Sequence, residues 1–216
     1  MDLFFTYLQF TYEDLLTQTG EHALAVGISL ALGTIVALTL GCLVYQREGS
    51  AKVAIGITGT ILTIPSFALF GLLIPLLGLG WPPTIVALTL YAIFPILRNT
   101  VTGLRGVDTA IVDSAQGMGL NRRQRLFRVE LPLAAPVIVA GIRVSALILI
   151  GIAAIAAGVG GPGLGEGFFS GLARIGSATA LYLVLGALLA VMVLALLFDI
   201  GFLVLKRVVT SKGIRN

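Results

Sequence analysis

His22 and Cys42 are the only histidine and the only cysteine in this sequence, and that alone removes most covalent chemistry. No Ser/His/Asp or Cys/His set can be assembled around His22, so no catalytic residue is assigned. A metal ion needs several ligands at short spacing and His22 has none beside it. No metal site is expected, and His22 reads as a histidine at a membrane interface. A single cysteine cannot form an intramolecular disulfide. Gly158, Gly160 and Gly163 match Gly-x-Gly-x-x-Gly, but that pattern binds a dinucleotide only between a strand and a helix, and no strand precedes it here. No Gly-x-x-x-x-Gly-Lys-Ser/Thr stretch occurs, so no nucleotide-binding phosphate loop is legible in this chain. No cofactor is expected.

What remains is charge set in costly places. Arg143 and Asp199 both lie inside apolar runs. Each is seven residues from the end of its run, about 10 Å deep at a rise of about 1.5 Å per residue. Intramembrane charges pair or line a wet route. They are expected to form an ion pair between the fourth and fifth apolar spans near their inner ends, the alternative being that each snorkels separately to the interface. Pro65, Ser66 and Pro95 are candidate breaks lining a pathway. A proline removes a backbone donor, and a bilayer tolerates this only where neighbours or a wet cavity satisfy the freed carbonyl.

The third polar feature is the arginine-rich island 113–136. Asp108 can cap a first helix carrying Asp113, Ser114 and Ala115, and Gly117 and Gly119 end or bend it. Asn121 and Gln124, three residues apart, resemble a capping box opening a second helix over 122–130, stopped by Pro132. Helix, glycine and helix make a protruding elbow with an arginine face.

These features need apolar elements to hold them. Hydrophobic residues make up 57% of the 216-residue chain and charged residues 11%, where a soluble domain carries about 25% charged. Apolar runs of spanning length give five transmembrane helices, over roughly 23–45, 53–77, 84–101, 136–159 and 179–205. Residues 1–20 are aromatic and acidic and predict an interfacial helix lying on the outer leaflet. No removable signal peptide is legible there. Residues 160–178 form a glycine-rich segment read as a flexible outer loop. The net charge of +4 does not imply nucleic acid, because the basic residues cluster between spans. Arg47, Lys52, Arg98, Arg105, Arg122, Arg123, Arg125, Arg128, Lys206, Arg207, Lys212 and Arg215 fall on one side and Arg174 alone on the other. The positive-inside rule puts the N-terminus outside and the C-terminus inside. The reading is a single all-α transmembrane domain, 1–216.

Asp113-Ser114-Ala115, Gly119 four residues on, and Val129-x-Leu131-Pro132 fit Glu-Ala-Ala-x3-Gly-x9-Ile-x-Leu-Pro. This resembles the "EAA" cytoplasmic loop of bacterial ABC importer permeases, with Asp for Glu and Ser for the first Ala. Thr63-Ile64-Pro65-Ser66, Phe94-Pro95-Ile96-Leu97-Arg98-Asn99-Thr100, Ala140-Gly141-Ile142-Arg143 and Gly160-Gly161-Pro162-Gly163-Leu164-Gly165 are similar to the glycine betaine/carnitine/choline/proline branch. The resemblance covers roughly 18–213. It implies a type I importer permease fold in a prokaryotic cell membrane, with no catalysis by this chain. It also implies a cytoplasmic ATPase dimer docked on loop 108–132, a second permease subunit (identical or sister) and an extracytoplasmic solute-binding protein. In that frame Asp113, Ser114, Ala115, Gly119, Arg122, Arg123, Leu131 and Pro132 couple to the ATPase, and Gly161, Gly163 and Gly165 meet the binding protein. Other readings are an ABC permease for another substrate, such as amino acids, and a stand-alone secondary carrier. The carrier would need coupling charges or an inverted repeat, and neither is found.

Overall fold

The computed structural model describes residues 2–177 and 179–209. Ala178, Lys212 and Arg215 lie outside the described residues. Every regular element among them is helical: α1 Asp2–Val44, α2 Glu48–Thr63, α3 Ser66–Leu77, α4 Trp81–Arg105, α5 Thr109–Gly117, α6 Arg122–Arg125, α7 Leu131–Ala156, α8 Gly165–Ala173 and α9 Ala180–Val209. A π-helical turn, Leu126–Glu130, joins α6 to α7, and a 3-10 turn, Ala157–Val159, ends α7.

Contacts between helices fix the direction of each pass. Arg105 Nε donates to Tyr45 O at 2.7 Å, joining the C-terminal ends of α4 and α1. Further up, a Cβ on Gly41 would lie 2.5 Å from Thr100 Cγ2, and one on Gly33 would overlap Ala92 Cβ. Helices α1 and α4 therefore run parallel with their backbones close, as small residues permit within membranes. In contrast, α7 runs antiparallel to both: His22 meets Ile150 at one end, and Gly141 abuts Asn99 further along. Asp199 meets Arg143, so α9 returns parallel to α1. Because α1 and α4 point the same way, α2 and α3 together must carry the chain back between them. Four helices are long and apolar enough to cross a membrane, and the bent α2–α3 pair would make a fifth pass; α5 and α6 project at the end where the arginines gather.

Two expectations are corrected. Residues 2–20 do not form a separate surface helix, since α1 is unbroken over 43 residues, about 65 Å. No proline interrupts it, and a lone Gly20 costs a helix only about 1 kcal/mol. Its aromatic end packs instead against α9, with Phe4 and Tyr7 at 6.0 and 6.4 Å from Tyr182. The second pass is broken where a kink was expected: α2 and α3 meet at 93°. Pro65 caps α3, and the exposed carbonyl of Ile64 accepts from the Tyr91 hydroxyl at 2.8 Å. By contrast Pro75 and Pro95 lie inside α3 and α4 without ending them.

Between the passes lies one apolar core, with Phe70, Leu88, Tyr91, Ile96, Leu97, Leu149 and Ile150 buried. The outer faces keep large apolar side chains exposed, Leu188, Met192 and Leu196 on α9 among them. Such a face suits lipid as solvent.

Candidate functional site

At the arginine-bearing end the elbow forms as its spacing predicts. Asp108 Oδ1 accepts from Ala110 N at 2.8 Å and caps α5. Gly119, at φ +82°, reverses the chain after α5 in a conformation costly for a residue with a Cβ. Leu120 N then donates back to Ala115 O at 3.2 Å. Asn121 and Gln124 form the reciprocal capping box, both bonds 2.9 Å. On α5, Asp113 and Ser114 are exposed while Ala115 is buried against the elbow. Arg122 and Arg123 are exposed as well.

The second helix does not stop at Pro132. It passes through the π turn into α7, and Pro132 occupies the first turn of α7. In the turn, Leu131 N bonds Leu126 O, five residues back. A π turn widens the helix locally, which makes room for a ring that would otherwise press on the preceding turn. The elbow's second arm is thus the direct extension of a transmembrane helix, over Arg122–Val159.

Sequence reasoning misses the groups that hold the elbow. Glu130 is 3% exposed, and its Oε1 accepts from Arg125 Nε at 2.9 Å. The same guanidinium donates through Nη1 to Gln116 Oε1 on α5 at 3.0 Å. Tyr45 lines the same cavity as Glu130. Burial first, and then the neighbouring carboxylate, push the pKa of its hydroxyl up to about 12, so it stays protonated at physiological pH. Gln46 donates to the same hydroxyl at 2.8 Å. A polar cavity of about 410 Å³ opens beside these groups, lined in part by Tyr45, Arg105, Asp113, Arg125 and Glu130.

Deeper in the bundle, Arg143 and Asp199 form the expected pair in bidentate geometry, Nε to Oδ1 at 2.6 Å and Nη2 to Oδ2 at 2.9 Å. Ser66 opens α3 directly at the break, and Pro65 is exposed there, whereas Pro95 is buried within α4. The break and Pro95 therefore do not share one surface.

The glycine-rich segment differs from the flexible loop expected. Gly163 and Gly165 are buried and Gly161 half-buried. At Gly163, with φ +105°, a Cβ would lie 2.8 Å from His22 Cβ. At Gly165 it would overlap Ala154 O, and at Gly161 it would lie 2.6 Å from Thr84 Oγ1. These glycines permit close packing, so Gly163 and Gly165 are not available to a partner's surface. His22 is likewise not interfacial but buried, with Nε2 3.0 Å from Ile150 O. No cluster of metal-binding side chains occurs among the described residues.

A capped, arginine-flanked elbow thus continues directly into a transmembrane helix of an all-helical membrane bundle. The chain belongs to the family of binding-protein-dependent transport system inner membrane components, whose pattern matches residues 29–210. It is 40% identical to the glycine betaine/carnitine/choline transport system permease protein OpuCB of Bacillus subtilis, over 100% of this chain and 98% of that one. It is 42% identical to the choline transport system permease protein OpuBB of the same organism, over 97% and 95%. The osmoprotectant import permease protein OsmW of Salmonella typhimurium is 37% identical, over 91% and 92%. The fold matches a chain of the MetNI methionine ABC transporter in an inward-facing conformation, with a TM-score of 0.80 and 24% identity over 91% and 96%. The protein is an ABC importer permease, multi-pass in the prokaryotic cell membrane. Permeases of this family generally serve alongside ATPase and binding-protein partners.

Proposed function

We propose that this chain is the permease subunit of an ATP-driven importer for osmoprotectant-type solutes such as glycine betaine, carnitine, choline or proline. Two permease subunits, identical or sister, enclose the pathway between them in the lipid bilayer. A cytoplasmic ATPase dimer binds ATP and docks on α5, with Asp113 facing a basic residue of the ATPase. Arg122 and Arg123 flank the contact. Gly119 fixes the turn after α5, and Leu131 and Pro132 root the elbow in α7. An extracytoplasmic binding protein delivers solute to the opposite end, where Gly160 and Glu166 are exposed near the buried glycines. The break at Pro65 and Ser66 and the Arg143–Asp199 pair belong to the pathway and its gate, whereas the buried Pro95 shapes α4 behind them. Nucleic acid has no part in it.

The observation that supports this reading most directly is the elbow. A capped helix presents a carboxylate to solvent, and its companion arm continues into the membrane, so a push on α5 is delivered to α7 as a rigid-body movement. The names of the relatives support the solute class. The test is co-purification in mild detergent, followed by solute uptake into proteoliposomes. The wild-type chain is expected to bring an ATPase with it. Asp113→Lys, which sets like charges against each other, is expected to weaken that association and uptake by at least about tenfold. A wild-type chain that purifies alone, with uptake indifferent to Asp113→Lys, would overturn the reading.

A further inference from the structure

Helix α5 packs chiefly against α6 and the π turn. It stands off the bundle like a cantilever, with the polar cavity of about 410 Å³ where a buttress would be. Apart from the elbow's own turn, one hydrogen-bonded line reaches it: Gln116 Oε1 on α5, the Arg125 guanidinium, then the Glu130 carboxylate. That carboxylate is 3% exposed and lines the cavity beside Tyr45. Tyr45 is in turn held through its carbonyl by Arg105 at the end of α4. The line therefore begins on the projecting helix and ends where α1, α4 and α7 meet.

We infer that Glu130 is a positioning residue, acting through Arg125 and Gln116 as the strut that sets the angle of α5 against the transmembrane bundle. The chemistry suits the task. A guanidinium fork bonds two acceptors in fixed directions, and a buried carboxylate in a charge-assisted bond to it has little freedom to swing. The π turn is what brings the strut into line. Arg125 and Glu130 are five residues apart, a spacing that an α-helix splays to different sides and a π turn stacks. The turn that accommodates Pro132 thus also aligns the ion pair. The mechanical consequence rests on the proposed docking of an ATPase at α5: with the strut intact, movement of α5 is passed to the bundle; without it, α5 pivots on Gly119 and the stroke is lost.

The test uses the full chain in proteoliposomes with its co-purified ATPase, and a nitroxide on Ile111→Cys of α5 in a Cys42→Ser background. Two variants cut the strut at different depths, Glu130→Gln at its buried root and Gln116→Ala at its exposed tip. The exposed change leaves the buried ion pair intact and guards against a mere folding defect. Both are expected to make the nitroxide spectrum more mobile. Both are also expected to lower solute transported per ATP hydrolysed by about threefold or more, the low end of couplings between bonded neighbours, while hydrolysis itself persists. An unchanged spectrum in both variants overturns the strut, and a more mobile spectrum with an unchanged ratio overturns its role in coupling. If the wild-type chain recruits no ATPase, the proposed function fails instead, and the nitroxide spectrum still decides whether Glu130 positions α5.

Discussion

Arg143 and Asp199 hold each other through two parallel hydrogen bonds within the transmembrane bundle. Bidentate geometry satisfies much of what both groups lose on leaving water, so the pair is tolerable where either charge alone would not be. Removing one partner is therefore worse than removing both. Arg143→Met and Asp199→Leu are each expected to lower the thermal unfolding temperature in detergent, and the double variant to recover most of the loss. If the pair also serves the gate, the stabilised double variant still fails to transport, which separates fold from function in one preparation. Equal destabilisation by the double and the worse single variant would show that the two residues act independently. The pair was legible in the sequence because both charges interrupt apolar runs at matching depth. Glu130 was not. It sits among Val129, Leu131 and Pro132 in a stretch that reads as a helix end, and its partner is at a spacing no α-helical rule pairs. Only the π turn makes Arg125 and Glu130 neighbours.

Among the elements, α2 and α3 show what a proline can and cannot say. Pro65, Pro75 and Pro95 look alike in the sequence, yet only Pro65 separates two helices, by 93°. The difference is the partner across the break: Tyr91, 27 residues on, places its hydroxyl 2.8 Å from the carbonyl of Ile64, the residue before Pro65. That donor makes the open backbone tolerable inside the bundle. Tyr91→Phe removes the donor, leaves the ring packed and orphans the carbonyl, at a cost of about 1–3 kcal/mol. The expected result is a lower unfolding temperature with the helical circular dichroism signal retained, and an unchanged temperature would mean that another group meets the carbonyl. The elbow, by contrast, was readable in detail because its signals are local: a cap two residues from its donor, a capping box spanning three, and a glycine at positive φ. The N-terminal helix was misread for the opposite reason. Aromatic and acidic composition describes an interfacial surface equally well whether it lies flat or packs on Tyr182, some 180 residues away.

For the whole molecule the question is which end faces the cytoplasm. The parallel course of α1 and α9 puts the start of α1 and the end of α9 at opposite ends of the bundle. The elbow, Arg105 and the C-terminal ends of α1, α4 and α9 lie together, while Gly80, Gly160 and Glu166 lie at the other end. Basic residues near span ends resist translocation, and they gather at the elbow's end, where an ATPase would have to dock. On both counts we propose that this end is cytoplasmic. With Cys42→Ser as background, Met118→Cys on the elbow and Glu166→Cys on α8 offer exposed thiols at the two ends. In intact cells a membrane-impermeant maleimide is expected to label Glu166→Cys alone, and Met118→Cys only after the membrane is opened. The reverse pattern would put the elbow out of reach of any cytoplasmic ATPase and remove the basis for coupling through α5. Labelling of both thiols in intact cells would mean that α7, the one long helix between them, does not separate the two ends across the bilayer.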